Sequence, residues 1–296
     1  MKKKKKIIKT VFKLIFITAI VISYSYYIEP KLITCKEYQI ENENISENFN
    51  GFKIVHISDL YYGKTFDDKQ MNKLVASIND QEPDIVVLTG DLIDKKTKLT
   101  IDISNKISEK LKEIDAKIGK YAINGDNDLK FDEWTNIINN GNFKNLNNAY
   151  DSIYKNGYDS ILIAGVSTSK DKLDINEKVL KTNEYINSFE KDGPIYKILL
   201  MHEPDNIDKI KNNQFNLILS GHSMHGQIKA LTIPIILEEG AKKYNQNYYK
   251  IENKELYISN GLGSPNNFRL FNTPSYNIYK LKKNWQEVIL QILFLF

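Results

Sequence analysis

Residues 52–59, Phe52-Lys53-Ile54-Val55-His56-Ile57-Ser58-Asp59, and residues 84–91, Asp84-Ile85-Val86-Val87-Leu88-Thr89-Gly90-Asp91, decide the reading of the fold. Each is a short apolar run that stops at an aspartate. Such a run, bounded by polar or glycine residues, reads as a strand buried on both faces. Three more follow the same plan: 121–124 before Gly125-Asp126, 196–201 before His202, and 215–220 before Gly221-His222. Helical patterns lie between several of them, over 67–79, 100–114, 131–139 and 175–189. Strand alternating with helix predicts an α/β domain with parallel strands. Residues 151–168 read as a hairpin. The short β-like runs 233–237, 248–251, 256–259 and 276–281 read as a more antiparallel set.

Ligands of open α/β sheets bind just beyond the carboxyl ends of the strands. The residues there are Asp59, Asp91, Asp126, His202 and His222, all of metal-ligating type. A single aspartate after a strand is usually a helix cap or turn former. Five such residues, taking two of the four histidines in the chain, argue for a common site. His225 lies three residues past His222, whereas His56 lies mid-strand and reads as a packing histidine.

Asp59 in Ile57-Ser58-Asp59-Leu60, then Gly90-Asp91, Gly125-Asp126-Asn127-Asp128, His202 and Gly221-His222, resemble the calcineurin-like metallophosphoesterase pattern of D-x-H, GD, GNH[DE], H and GHxH. Gly240-Ala241-Lys242-Lys243-Tyr244 and Gly261-Leu262-Gly263 look like the membrane-anchored bacterial branch. The resemblance implies an α/β fold, a four-layer αββα sandwich of two mixed sheets behind an N-terminal transmembrane helix. It also implies divalent metal ions (manganese, iron, zinc or similar), one or two in number, at the strand ends. Asp91 would bridge them. One ion would also take Asp126, His202 and His222, and the other Asp59 with the residues matching two further histidines.

Tyr61 stands where D-x-H has its histidine, Asn127 where GNH has its own, and Met224 at the second histidine of GHxH. The Asp59 side has therefore lost both imidazoles, and Tyr61, if ionised, or His225 would have to replace them. Thioether is a poor ligand for hard or borderline ions. Asn127 and Asp128 are candidates for catalysis, and so is Arg269. Arg269 is the one arginine among 41 basic residues, and a guanidinium can grip phosphate bidentately. The rival reading pairs Arg269 with a carboxylate. Function is expected to be metal-dependent phosphoester hydrolysis on a small molecule or lipid headgroup. The alternative is a one-metal relative that binds a phosphorylated ligand without turnover.

The net charge of +4 comes from the amino terminus, where residues 1–13 carry seven lysines and no acid. The rest of the chain is therefore net negative, which argues against a nucleic-acid partner. A single cysteine, Cys35, excludes an internal disulfide framework. Residues 1–6 read as a basic tail and 7–28 as a membrane anchor of spanning length. The lysines predict the amino terminus inside and the domain outside. A cleaved signal peptide ending near Ser23 or Ser25 is the rival, and a lipoprotein site at Cys35 is disfavoured by Thr34. Residues 29–50 read as a linker or edge strand, 51–282 as the phosphoesterase domain, and 283–296 as an apolar tail.

Overall fold

The computed structural model describes residues 2–189, 193, 196–211, 213–230, 233–235, 237 and 239–285. In chain order its strands are β1 (Thr34–Asn42), β2 (Lys53–Ile57), β3 (Ile85–Thr89), β4 (Gly119–Ile123), β5 (Lys144–Asn145), β6 (Ala149–Tyr154), β7 (Ser160–Gly165), β8 (Tyr196–Met201), β9 (Leu217–Ser220), β10 (Lys229–Ala230), β11 (Ile233–Pro234), β12 (Tyr248–Ile251), β13 (Lys254–Ile258) and β14 (Ser275–Lys283). Its helices are α1 (Lys2–Tyr27), α2 (Asp68–Asn79), α3 (Ile101–Lys112), α4 (Trp134–Asn140) and α5 (Ile175–Asn187).

One six-stranded sheet runs β1-β14-β2-β3-β4-β5 and the other β12-β13-β9-β8-β7-β6. β2 to β5 are mutually parallel, as are β7, β8, β9 and β13. Antiparallel pairs flank these cores, so both sheets are mixed. Of the later strands, β10 and β11 form a separate two-stranded antiparallel ribbon, and the others join the two large sheets. β14 inserts between β1 and β2, while β12 and β13 extend the other sheet. The 29–50 segment supplies β1, an edge strand parallel to β14.

Side-chain alternation along each strand sets the layers. Ile54, Ile85 and Val87 face Ile198, Leu200, Leu217 and Leu219 in the core between the sheets. Val55, Ile57, Val86 and Leu88 point the other way, under α2, α3 and α4. Leu199, Met201 and Ile218 likewise lie under α5. The result is a four-layer αββα sandwich. Helix starts follow local chemistry: Asp67 and Gln70 form a capping box on α2, and Thr100 accepts from Ile103 N on α3.

α1 is long and apolar enough to cross a membrane, and its apolar side chains stand exposed along nearly its whole length. Its last turn alone is gripped by the domain. Ser25 O accepts from Arg269 N at 3.1 Å, the Tyr26 and Phe268 rings meet edge-on at 4.9 Å, and the Glu29 carboxylate accepts from Phe271 N (3.2 Å) and Asn272 N (2.6 Å). Cys35 is a free thiol. Most of the expected apolar tail, residues 286–296, lies outside the described residues.

Candidate metal centre

The carboxyl ends of β2, β3 and β4 in one sheet and of β8 and β9 in the other converge on one point. Asp59, Asp91, Asp126, His202 and His222 meet there. The turns carrying them are tight. Asp59, Tyr61, Asp91, His222, Met224 and His225 all have φ between 41° and 63°. Left-handed backbone at residues with a Cβ costs roughly 1–3 kcal/mol each and clusters where function requires it. Gly90 allows the approach of the layers, since a Cβ there would lie 2.5 Å from Gly125 N and 2.6 Å from His202 Nδ1.

Each imidazole is aimed by a carbonyl. His202 Nδ1 donates to Thr89 O at 2.6 Å, and His222 Nε2 donates to Glu239 O at 2.8 Å. A carbonyl can only accept, so both tautomers are fixed and the opposite nitrogens face inward. His202 Nε2 and His222 Nδ1 lie 3.2 Å apart. Asp126 Oδ1 stands 3.4 and 3.5 Å from them, buried and without a well-formed hydrogen bond. Asp91 Oδ1 is 3.6 Å from His202 Nε2. Two nitrogens bound tetrahedrally to one zinc-sized ion stand roughly 3.3 Å apart. This donor set, with its orienting carbonyls, fits a divalent cation.

The charges agree. Burial disfavours a charged His202, yet Asp91 and Asp126 push its pKa well above the ordinary imidazole value. His222 is raised likewise, against its burial, by Asp126. Burial would lift Asp126, but the His202 and His222 imidazoles beside it hold it far below the usual carboxylate range. The cluster draws positive charge.

The other flank is different. Asp59, Asp91 and His202 are close enough to share an ion, but His202 already belongs to the first group. The Asp59 carboxylate accepts from His222 N (3.1 Å) and Ser58 Oγ (2.6 Å). Asp91 accepts from Asn127 N (2.9 Å) and Asn127 Nδ2 (2.6 Å). Burial first, then the charges of Asp91 and Asp59, raises Tyr61 well above the ordinary phenol value, with Asp91 as hydrogen-bond partner. The phenol of Tyr61 is therefore held neutral by its own surroundings. His225 Nε2 donates to Ile258 O at 3.1 Å, outside both groups. The Asp126, His202 and His222 group fits one ion, while the Asp59 flank offers carboxylates and no imidazole of its own.

Asp128 is buried, its carboxylate accepting from Gly125 N (2.9 Å) and Ile93 N (3.2 Å), so it braces the turn that carries Asp126. Arg269 is wholly buried and does not line the cleft. No carboxylate lies within ion-pair distance of it among the described residues, so the expected carboxylate pairing is replaced by bonds to backbone carbonyls. His56 packs in the core, Nε2 on Thr89 Oγ1 at 2.7 Å. The site opens into a cleft of about 240 Å³ floored by Tyr61, Asp126, Asn127 and His222. Lys64, Lys95 and Lys96 rim it. Sequence reasoning passed over these lysines, because in a lysine-rich chain they offer no contrast.

The model of the calcineurin-like phosphoesterase family matches residues 52–226. This chain belongs to that family. Similar to this family member is the "Uncharacterized metallophosphoesterase YkuE" of Bacillus subtilis (strain 168), 29% identical over 268 residues, 88% of this chain and 89% of that one. The "UDP-2,3-diacylglucosamine pyrophosphatase LpxG" of Chlamydia muridarum is 23% identical, covering 87% of this chain and 92% of its own. A "Transmembrane protein with metallophosphoesterase domain" of Danio rerio is 25% identical over 79% of this chain and 53% of its own. Against the calcineurin-like pattern, this chain has His202 and His222 at pattern positions, Asp126 where the pattern has asparagine, and Tyr61, Asn127 and Met224 at the positions of three pattern histidines.

Proposed function

We propose that this calcineurin-like phosphoesterase is a one-ion hydrolase, tethered through α1, that cleaves phosphoanhydride-linked headgroups of lipids in the membrane holding it. The Asp126–His202–His222 group at the floor of a lysine-rimmed cleft carries the reading. These three residues, with Asp91, would hold the ion, and mixed nitrogen and oxygen donors suit manganese, iron or zinc. When bound, such an ion polarises a phosphoryl oxygen and acidifies water. Lys64, Lys95 and Lys96 supply charge for the anionic phosphates entering the cleft.

Asn127 favours the anhydride. Its amide is spent on Asp91 and cannot transfer a proton. Hydrolysis breaks a P–O bond, and the departing oxygen takes the electron pair. An alkoxide needs a proton at that moment, whereas a phosphate, whose second pKa is near 6, leaves without one. The similarity to a lipid pyrophosphatase supports the same class. The lysines at the start of α1 favour the domain outside. The lipid source is favoured by position. Pro265 and Asn266 line the cleft, and Phe268, two residues on, lies against Tyr26 of α1. The exposed side chains of Ile233, Ile235 and Phe271 flank the same loop.

The test is the full chain in lipid nanodiscs with manganese, given a lipid pyrophosphate and a dialkyl phosphodiester. Chelator-sensitive hydrolysis of the pyrophosphate, at least about 100-fold faster than of the diester, is expected, and His222→Ala should abolish it. A folded, manganese-loaded protein that hydrolyses neither would be the non-catalytic relative that only binds phosphorylated ligands.

A further inference from the structure

We propose that the guanidinium of Arg269 stands in for the second metal ion, so that the centre excludes a second divalent cation by electrostatics as well as by its missing ligands. The inference rests on the one-ion reading above. Arg269 is 0% exposed. Its Nη1 donates to Asn260 O (2.8 Å) and Asn272 O (3.1 Å), its Nη2 donates to Gly263 O, and its Nε has no partner. Neutral carbonyls alone are a poor home for a full positive charge in the interior. The negative charges nearest in effect are Asp59 and Glu29, with the Tyr61 hydroxyl also in range.

The contact that places it is Met224. Nη2 lies 3.8 Å from Met224 Sδ, and Met224 occupies the position of the second GHxH imidazole. A Cβ built on Gly261 would lie 3.0 Å from Met224 Sδ and 3.0 Å from Asp59 Cβ. The guanidinium touches the thioether, and Met224 and Asp59 both border Gly261 in the buried interior. A neutral, soft thioether tolerates the cation beside it and does not recruit an ion. Arg269 thus adds a fixed positive charge on the Asp59 flank. A divalent ion added between Asp59 and Asp91 would share that poorly screened space with a fixed positive charge, and the repulsion would weaken it by about 100-fold or more.

The experiment counts ions in the full chain in detergent micelles, by elemental analysis and by manganese titration calorimetry. Wild type should hold one ion. The Tyr61→His/Met224→His variant restores both imidazoles with Arg269 in place, and should still hold one ion tightly, its second at least about 100-fold weaker. Adding Arg269→Gln should admit two, whereas adding Arg269→Lys, which keeps the charge, should not. Two ions of affinities within tenfold in the double variant, or in wild type, overturn the inference and leave phosphoester hydrolysis standing. No ion in folded wild type overturns both readings together. The double variant decides even if the Gln variant fails to fold, since it retains Arg269 and its bonds. A folded Gln variant, checked by thermal melt, that still takes only one ion also overturns the inference.

Discussion

An imidazole becomes a ligand when its other nitrogen is committed, and His202 and His222 are each committed to a backbone carbonyl. Protons and metal then compete for the same lone pairs. Both pKa values are raised by neighbouring carboxylates, so acid fills these lone pairs at a higher pH than in free histidine. Manganese affinity should fall as pH drops from 8 to 6, and calorimetry in buffers of different ionisation heat should report proton release on binding. Asn127→His should raise turnover of the dialkyl phosphodiester by roughly 10²–10⁴-fold, and that of the lipid pyrophosphate much less. An equal gain on both substrates would contradict the leaving-group argument. At this scale the clustering of Asp59, Asp91, Asp126, His202 and His222 was readable because five residues of metal-ligating type end successive apolar runs, although any one of them alone would pass as a cap or turn former. Arg269 was conspicuous too, yet its partners were not readable. Asn260, Gly263 and Asn272 offer it main-chain oxygens, to which sequence pattern is blind.

Elements were legible where the signal is local. The core strands β2, β3, β8 and β9 lie within the runs that end at the ligands, and α2 begins at its capping box. Strand order was not legible, because the insertion of β14 between β1 and β2 depends on partners more than 200 residues away in the chain. His56 shows what that insertion accomplishes. Its ring bridges Thr89 of β3 and, at 3.3 Å, the Tyr279 hydroxyl of β14. Burial pushes its pKa down to about 3. The unfolded chain takes up this proton near 6.5 and the folded one resists it, so this contribution is complete above 6.5 and is lost as pH falls toward 3. Each unit of difference is worth about 1.4 kcal/mol. His56→Gln should lower Tm at pH 7 yet flatten its decline between pH 6.5 and 4.5, as read by circular dichroism melts. An unchanged slope would mean that the buried ring does not govern acid stability. Asp128, raised to about 7 by burial and by Asp91, runs in the opposite sense and is common to both proteins compared.

For the whole molecule, the union of α1 with the domain matters most. The apolar segment was readable as long enough to span, but its grip on the loop before β14 was not, because most of its partners on that loop are main-chain amides, those of Arg269, Phe271 and Asn272. Glu29 holds Asn272 N, and Asn272 Nδ2 in turn donates to Met224 O, beside the ligand turn of His222. Glu29→Ala should therefore increase hydrogen exchange in residues 261–273 and in the Met224 turn while sparing β8. Uniform protection in both proteins would show that the clamp is ornamental. In the tethered reading, protein reconstituted in vesicles should hydrolyse lipid pyrophosphate in its own bilayer and leave protein-free vesicles in the same tube largely untouched.

Only residues 28–33 separate the end of α1 from β1, and Glu29 in that stretch is itself pinned. A stalk this short leaves no swing radius. The cleft would meet substrate by lateral diffusion in two dimensions, and its velocity would track the mole fraction of substrate among neighbouring lipids. Diluting the suspension would then change nothing, while diluting the substrate with inert lipid would slow the reaction in proportion.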